Sequence, residues 1–320
     1  MVNISQSLIN DVLYNSDDQL SPCSCPLFLK RRYVDKWETS GSDLMLAGRY
    51  FEWHLLGATR DMVEPKIPRV NVKKLSPTSS AKKEDMSAWL EKKGIFMTGT
   101  KEALYERIKE FPAEYDNGDP STRQMEIDGI IAIAKQVLEK MGLDVSKGRK
   151  QVKLVHKDTE GHIDWIAPNF VSGIDGEECI IDVKYTETRQ NDRYNGWADL
   201  PERTDAQAEK AKTQAAQYTK LYFENYKKWV PFYFFIFGKS GWISIYKMTM
   251  LESGLLDINS KQELTRAKVK ELIKSEWQAR PEYNKCMDCP YAAYDKKGDG
   301  SEIILCPSRS IMPSINIVQF

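Results

Sequence analysis

An α/β fold with a mixed central β-sheet is predicted by three features of the chain. Strand-like alternation recurs in Lys150–His156, His162–Ile166 and Cys179–Tyr185, so residues 151 to 185 read as a three-strand meander. Long helical patterns over Arg123–Met141 and Asp205–Tyr226 flank that meander. Two aromatic-rich strand patterns follow, Val230–Phe237 and Trp242–Met248, joined by the turn-forming run from Gly238 to Gly241. The order helix, three strands, helix, two strands indicates helices packed on the faces of one sheet.

The chain has 320 residues, enough for one large core or two modest ones. Acidic and basic residues balance at 46 each, which excludes a globally basic nucleic-acid-binding protein. A local cleft that meets phosphate through metal ions remains compatible with that balance. The longest apolar run, Val230–Phe237, is too short to cross a bilayer and reads as a buried strand. No secretory leader pattern is seen, so the expected compartment is the cytoplasm, that of the host if the protein is viral.

Taken in order, residues 1 to 20 are weakly helical, and Pro26–Trp37 reads as a helix with Lys30, Arg31 and Arg32 as either a phosphate-facing or a solvated face. Gly41–Leu46 is expected to be a loop before a helix over Ala47–Thr59, in which Glu52 lies between Phe51 and Trp53. A carboxylate in such company should be paired or next to a metal. His54, two residues on, points elsewhere and is expected to be a hydrogen-bonded, partly buried imidazole. Residues 61 to 80 form an irregular connection. Two short helices follow, Glu84–Lys93 and Thr100–Phe111, with Gly94 as a C-terminal stop and Thr100 as an N-cap. Met86, Trp89, Leu90, Leu104, Tyr105 and Ile108 supply a miniature core. Asp116–Thr122 is a hinge, Asp158–Gly161 a tight turn, and the polar stretch 186 to 204 a loop where a substrate gate would lie. A last helix is expected over Lys261–Arg280.

The chemistry concentrates around residues 161 to 184. Asp182 and Lys184 share one face of a strand that also carries the apolar run Cys179-Ile180-Ile181, and Asp164 stands on the neighbouring strand. Two such carboxylates suit a hard divalent cation. That cation would neutralise charge on a phosphodiester undergoing hydrolysis, and Lys184 would orient or deprotonate the attacking water. Gln214 and Tyr218, four apart on a helix, face the same way. Of the six cysteines, Cys179 reads as a small buried apolar residue, whereas Cys286-x-x-Cys289 has the spacing of a thiolate ligand pair. Cys306 follows, with Cys23 or Cys25 at the other end of the chain. Thiolates select zinc or an iron–sulfur cluster and do not by themselves decide between them.

Gly161-His162-Ile163-Asp164, Ile181-Asp182-Val183-Lys184 and Gln214-x-x-x-Tyr218 together resemble the motifs of PD-(D/E)xK nucleases, and most closely the RecB-like exonucleases, including CRISPR-associated and phage members. The resemblance implies a restriction-endonuclease-like core. Mg²⁺ or Mn²⁺ would be held by Asp164, Asp182, the Val183 carbonyl and, from the upstream helix, Glu52, where many relatives carry histidine. It further implies that Lys184, Gln214 and Tyr218 complete the catalytic set. The cysteines are similar to the terminal staple of that branch, which implies a [4Fe-4S] cluster, with zinc as the alternative, on Cys25, Cys286, Cys289 and Cys306. The unit 83–111 resembles SAP/HeH helix–extended–helix modules, with Lys101 and Arg107 as the implied phosphate contacts. The expected organisation is then 1–60 as the helical start of the nuclease domain, 83–111 as the insertion, 120–280 as the core and 281–320 as the cysteine-containing segment. The implied function is a DNA exonuclease acting on single-stranded or duplex ends, in company with recombination or replication proteins. An endonuclease of the same fold, or a non-catalytic nucleic-acid-binding adaptor, is the alternative.

Overall fold

The structure is a computed structural model that describes residues 2–14, 25–35, 42–59, 63–95, 98–116, 118–171, 177–188, 197, 200 and 205–278. The helices are α1 (Gln6–Leu13), α2 (Pro26–Leu29, widening into a π-turn over Lys30–Val34), α3 (Asp43–Leu56), α4 (Lys83–Lys92), α5 (Lys101–Lys109), α6 (Thr122–Lys140), α7 (Ala206–Tyr226) and α8 (Glu252–Lys274). The strands are β1 (Arg149–His156), β2 (Thr159–Pro168), β3 (Glu178–Thr186), β4 (Phe232–Gly238) and β5 (Ile243–Met248). The chain divides into two compact units, one of Met1–Pro65 with Ile130–Phe320 and one of Lys66–Gly129.

In the larger unit the five strands lie in the order β1-β2-β3-β4-β5. All neighbours are antiparallel except β3 and β4, which run parallel and therefore need a crossover, supplied by α7. The sheet is mixed and flanked by helices, as expected. Every residue of β4 is buried, which is why Phe232–Phe237 reads as an unbroken apolar run rather than an alternating one. One face packs Ile166, Ile180, Phe232, Phe234 and Ile236 under Ala208, Ala211, Ala215, Leu221 and Tyr222 of α7. The alanines let the helix lie close. Gly161 does the same from below, because a Cβ there would come within 2.9 Å of Tyr218 Cε1 and Leu221 Cδ1. On the opposite face Phe51 of α3 stacks on Tyr185 at 5.4 Å and tilts against Phe237 at 5.2 Å. That packing fixes the helix that carries Glu52.

Several boundaries differ from expectation for identifiable reasons. α3 starts at Asp43 instead of Ala47, because the Ser42 hydroxyl accepts from Met45 N–H and caps a turn that had read as loop. The β1–β2 turn is tighter than Asp158–Gly161: His156 pairs with Thr159, and Lys157 takes φ +54° between them. α8 begins nine residues before Lys261, at Glu252, where Gly254 had disguised the helical pattern. The basic triplet splits. Arg31 is buried, against expectation, whereas Arg32 is solvent-exposed and lies 3.0 Å from Asp11 of α1, whose carboxylate also accepts from Tyr33. Replacing Ser42 by alanine removes the α3 cap and is expected to cost about 1 kcal/mol of stability, measured by urea denaturation.

In the smaller unit α4 and α5 bury Met86, Trp89, Leu90, Leu104 and Ile108 against one another. The Thr100 hydroxyl accepts from Ala103 N–H, and Gly94 takes φ +70°. The stretch expected to be irregular is tied down. Val70 and Asp119 exchange both backbone hydrogen bonds, and Ser76 Oγ accepts from Glu114 N–H at 2.6 Å. About thirty residues alone would be marginal, and this stem adds the missing contacts.

Candidate active site

The β2–β3 ladder pairs Pro168 with Glu178 and runs to Trp165 opposite Ile181, where it stops. The next positions across the ladder are Asp164 and Asp182. Asp164 Oδ2 there accepts from the Val183 N–H at 3.0 Å, so a carboxylate takes the place of a backbone acceptor and the strands fork. Asp182 is 1% exposed. Its Oδ1 accepts from Gln214 Nε2 at 2.6 Å, and the two aspartate carboxyls are close enough to share a proton. Lys184 Nζ lies 2.7 Å from Asp182 Oδ2, so that buried oxygen is ion-paired.

The β1–β2 register has one gap, at Gln151 opposite Asp164. Gln151 takes φ +50°, a left-handed conformation that costs a residue of its kind about 1 kcal/mol or more. Ile163 and Ile166, three apart on β2, both pack under α7, so the pleat reverses between them, at the fork. Gln151 Nε2 donates a short hydrogen bond to Glu52 Oε1, linking the kinked strand to α3.

The electrostatics follow from three carboxylates crowded around one ammonium. Burial pushes Glu52 up from 4.5 to about 7, against the pull of Lys184 and the Gln151 hydrogen bond, with Asp182 adding to the rise. Burial, then repulsion from Asp182 and Glu52, holds Asp164 well above the usual carboxylate range. Burial also raises Asp182, although Lys184 draws it down. Lys184 moves the other way from what burial alone would impose, because Asp182 and Asp164 hold it above the ordinary lysine value.

The donor chemistry suits a hard divalent cation: all-oxygen, with three carboxylates against one ammonium. Among the described residues no three His, Cys, Asp or Glu side chains already stand as a ligand cage. Glu52 accepts from Gln151, at the strand position facing Asp164, and Asp182 is paired with Lys184 and Gln214.

The remaining expected residues fall as follows. Tyr218 is buried, its ring at Gly161 and its phenol near enough to Lys184 to act on the ammonium. Val183 contributes its N–H to Asp164. His54 lies against the Tyr50 ring and 3.7 Å from Glu64. Cys179 is buried, its thiol pushed up to about 12 by burial. Cys25 is a free thiol at the start of α2, packed beside the cluster of Leu8, Ile9 and Phe28. Cys286, Cys289 and Cys306 lie outside the described residues, as does most of the expected gate over 186 to 204. In the smaller unit Lys101 opens α5, and Arg107 donates to Thr98 O at 2.9 Å. Sequence reasoning missed Gln151. A glutamine in a strand pattern carries no signal of a positive φ.

Sheet, helices and fork define the class: an α/β fold whose mixed sheet presents a lysine and buried carboxylates beside a crossover helix. The chain is similar in fold to the crystal structure of a candidate exonuclease from Eubacterium rectale, with a TM-score of 0.53 and 15% sequence identity, over 92% of this chain and 90% of that one. No protein-family model matches the chain, and no curated protein matches it by sequence. Among the described residues no helix is long and apolar enough to cross a membrane.

Proposed function

We propose that this protein is a divalent-metal-dependent deoxyribonuclease that hydrolyses phosphodiester bonds from DNA ends. The observation that carries the reading is the convergence of Asp164, Asp182, Glu52 and Lys184 on one fork, with Gln214 on Asp182. The fold likeness to a candidate exonuclease supports it in general terms. Asp164, Asp182 and Glu52 would hold Mg²⁺ or Mn²⁺, with the Val183 carbonyl as a further oxygen. The bound cation would supply charge neutralisation at the phosphate and an acidified water.

The chain's own groups do the rest. Gln214 donates to Asp182 Oδ1 and fixes that carboxylate's plane. Lys184, held as an ammonium by its two aspartates, orients the water and meets charge developing on the phosphate instead of acting as a base. Tyr218, set by the close approach of α7 to Gly161, closes the side of the site next to Lys184. Lys101 and Arg107 of the smaller unit are proposed as DNA phosphate contacts. Cys25, with Cys286, Cys289 and Cys306, is proposed to hold a [4Fe-4S] cluster, or zinc in its place, which a visible spectrum of anaerobically purified protein distinguishes.

The test is digestion of end-labelled linear and of circular DNA, single- and double-stranded. Linear substrate is expected to be shortened with Mg²⁺ or Mn²⁺ and to survive in chelator. Cleavage of circles would make the enzyme an endonuclease, and binding without cleavage under every metal condition would leave an adaptor.

A further inference from the structure

We propose that Gln151 is a positioning residue of this site: its amide holds Glu52 toward the two aspartates. The inference rests on the metal-dependent reading above and deepens it. Among the described residues Gln151 is the one non-glycine position inside a strand whose φ is left-handed. It is also the one gap in the β1–β2 register, directly opposite Asp164. Glycine would satisfy the backbone there without strain, and asparagine would tolerate it better. The chain instead keeps a long amide, and that amide donates to Glu52 Oε1.

Glutamate has three side-chain torsions and reaches the site from α3, a different element from the two aspartates. Left to itself it would sample rotamers that turn away from the aspartates, and immobilising it costs entropy each time a cation or substrate arrives. The Gln151 amide meets that cost in advance. An amide suits the task because it donates to the carboxylate without adding a charge that would compete with a cation. The strained backbone and the hydrogen bond are therefore two parts of one device, the first directing the side chain and the second using it.

The experiment compares Gln151→Gly and Gln151→Ala with the wild-type protein, by calorimetric titration with Mn²⁺ alone and by steady-state DNA cleavage. Both variants lack the amide, and only glycine accepts the backbone freely. Both are expected to bind Mn²⁺ about 10-fold more weakly, in the range typical of lost outer-shell partners. kcat should fall while KM for DNA holds, and Gln151→Gly should denature at higher urea than Gln151→Ala. Gly alone carries the test if the alanine protein fails to fold. Wild-type Mn²⁺ affinity in both variants, or in the glycine variant alone, overturns the assignment. Asp182→Asn runs beside them. If it abolishes Mn²⁺ binding while the Gln151 variants keep theirs, the positioning role fails and the metal site stands. If the wild-type protein takes up no Mn²⁺, both fall together.

Discussion

Asp182→Asn is expected to lower DNA cleavage by about 10³-fold without weakening the fold. Asparagine is isosteric, and its side-chain oxygen can still accept from Gln214 Nε2, so the contact between β3 and α7 persists. What disappears is one negative charge from a buried group of three. Because burial holds Asp182 above the usual carboxylate range, the ionised form costs stability at neutral pH, and a neutral amide removes that cost. Lys184 keeps Asp164 as a partner. The urea midpoint of the metal-free variant should therefore match or exceed that of the wild-type protein, a separation of activity from stability expected when a site is built at the expense of the fold. Turnover within about threefold of wild type would end the nuclease reading. A large drop in midpoint accompanying the lost activity would make Asp182 a structural ion-pair partner instead.

The parts of this site that could be read from sequence are those set by strand alternation and helical spacing. Asp182 and Lys184 share a face because they are two apart on a strand, and Gln214 meets Asp182 because it lies on the face that α7 turns to the sheet. The burial of β4 was equally legible, since a strand carrying six consecutive apolar residues must be covered on both sides, but its parallel pairing with β3 was not. Non-periodic features were not. Ser42 as a cap lengthens α3, and the two-residue β1–β2 turn and the fork depend on local backbone geometry that no repeat announces. Gln151 is the clearest case, because its function lies in a φ that its side chain does not favour and in a partner 99 residues away. Arg31 failed in the opposite sense. A run of basic residues suggests solvent or phosphate, which holds for the exposed Arg32, and only tertiary packing shows Arg31 buried.

Glu52 gives the site a pH dependence whose sign follows from its pKa. Its value in the folded protein is about 7 against an ordinary 4.5, so its contribution to stability is complete below about pH 4.5 and is lost as the pH rises through 7. Asp164 and Asp182, also raised by burial, act in the same direction, while Lys184, raised above the ordinary lysine value, contributes no slope in this window. The Glu52 gap alone sets a ceiling of about 3 kcal/mol, and its partial exposure reduces the expected loss to on the order of 2 kcal/mol between pH 4.5 and 8. A divalent cation should reverse the trend, since it binds the ionised carboxylates and competes with protons. Mn²⁺ is accordingly expected to raise the urea midpoint strongly at pH 8 and little at pH 5. In Glu52→Gln the metal-free protein should lose much of the slope between pH 4.5 and 7, and its gain from Mn²⁺ at pH 8 should shrink. Urea titrations in chelator and in Mn²⁺ at four pH values read both effects. Parallel pH curves for wild type and Glu52→Gln would remove Glu52 from the site, and a Mn²⁺ gain independent of pH would remove the carboxylates as its ligands.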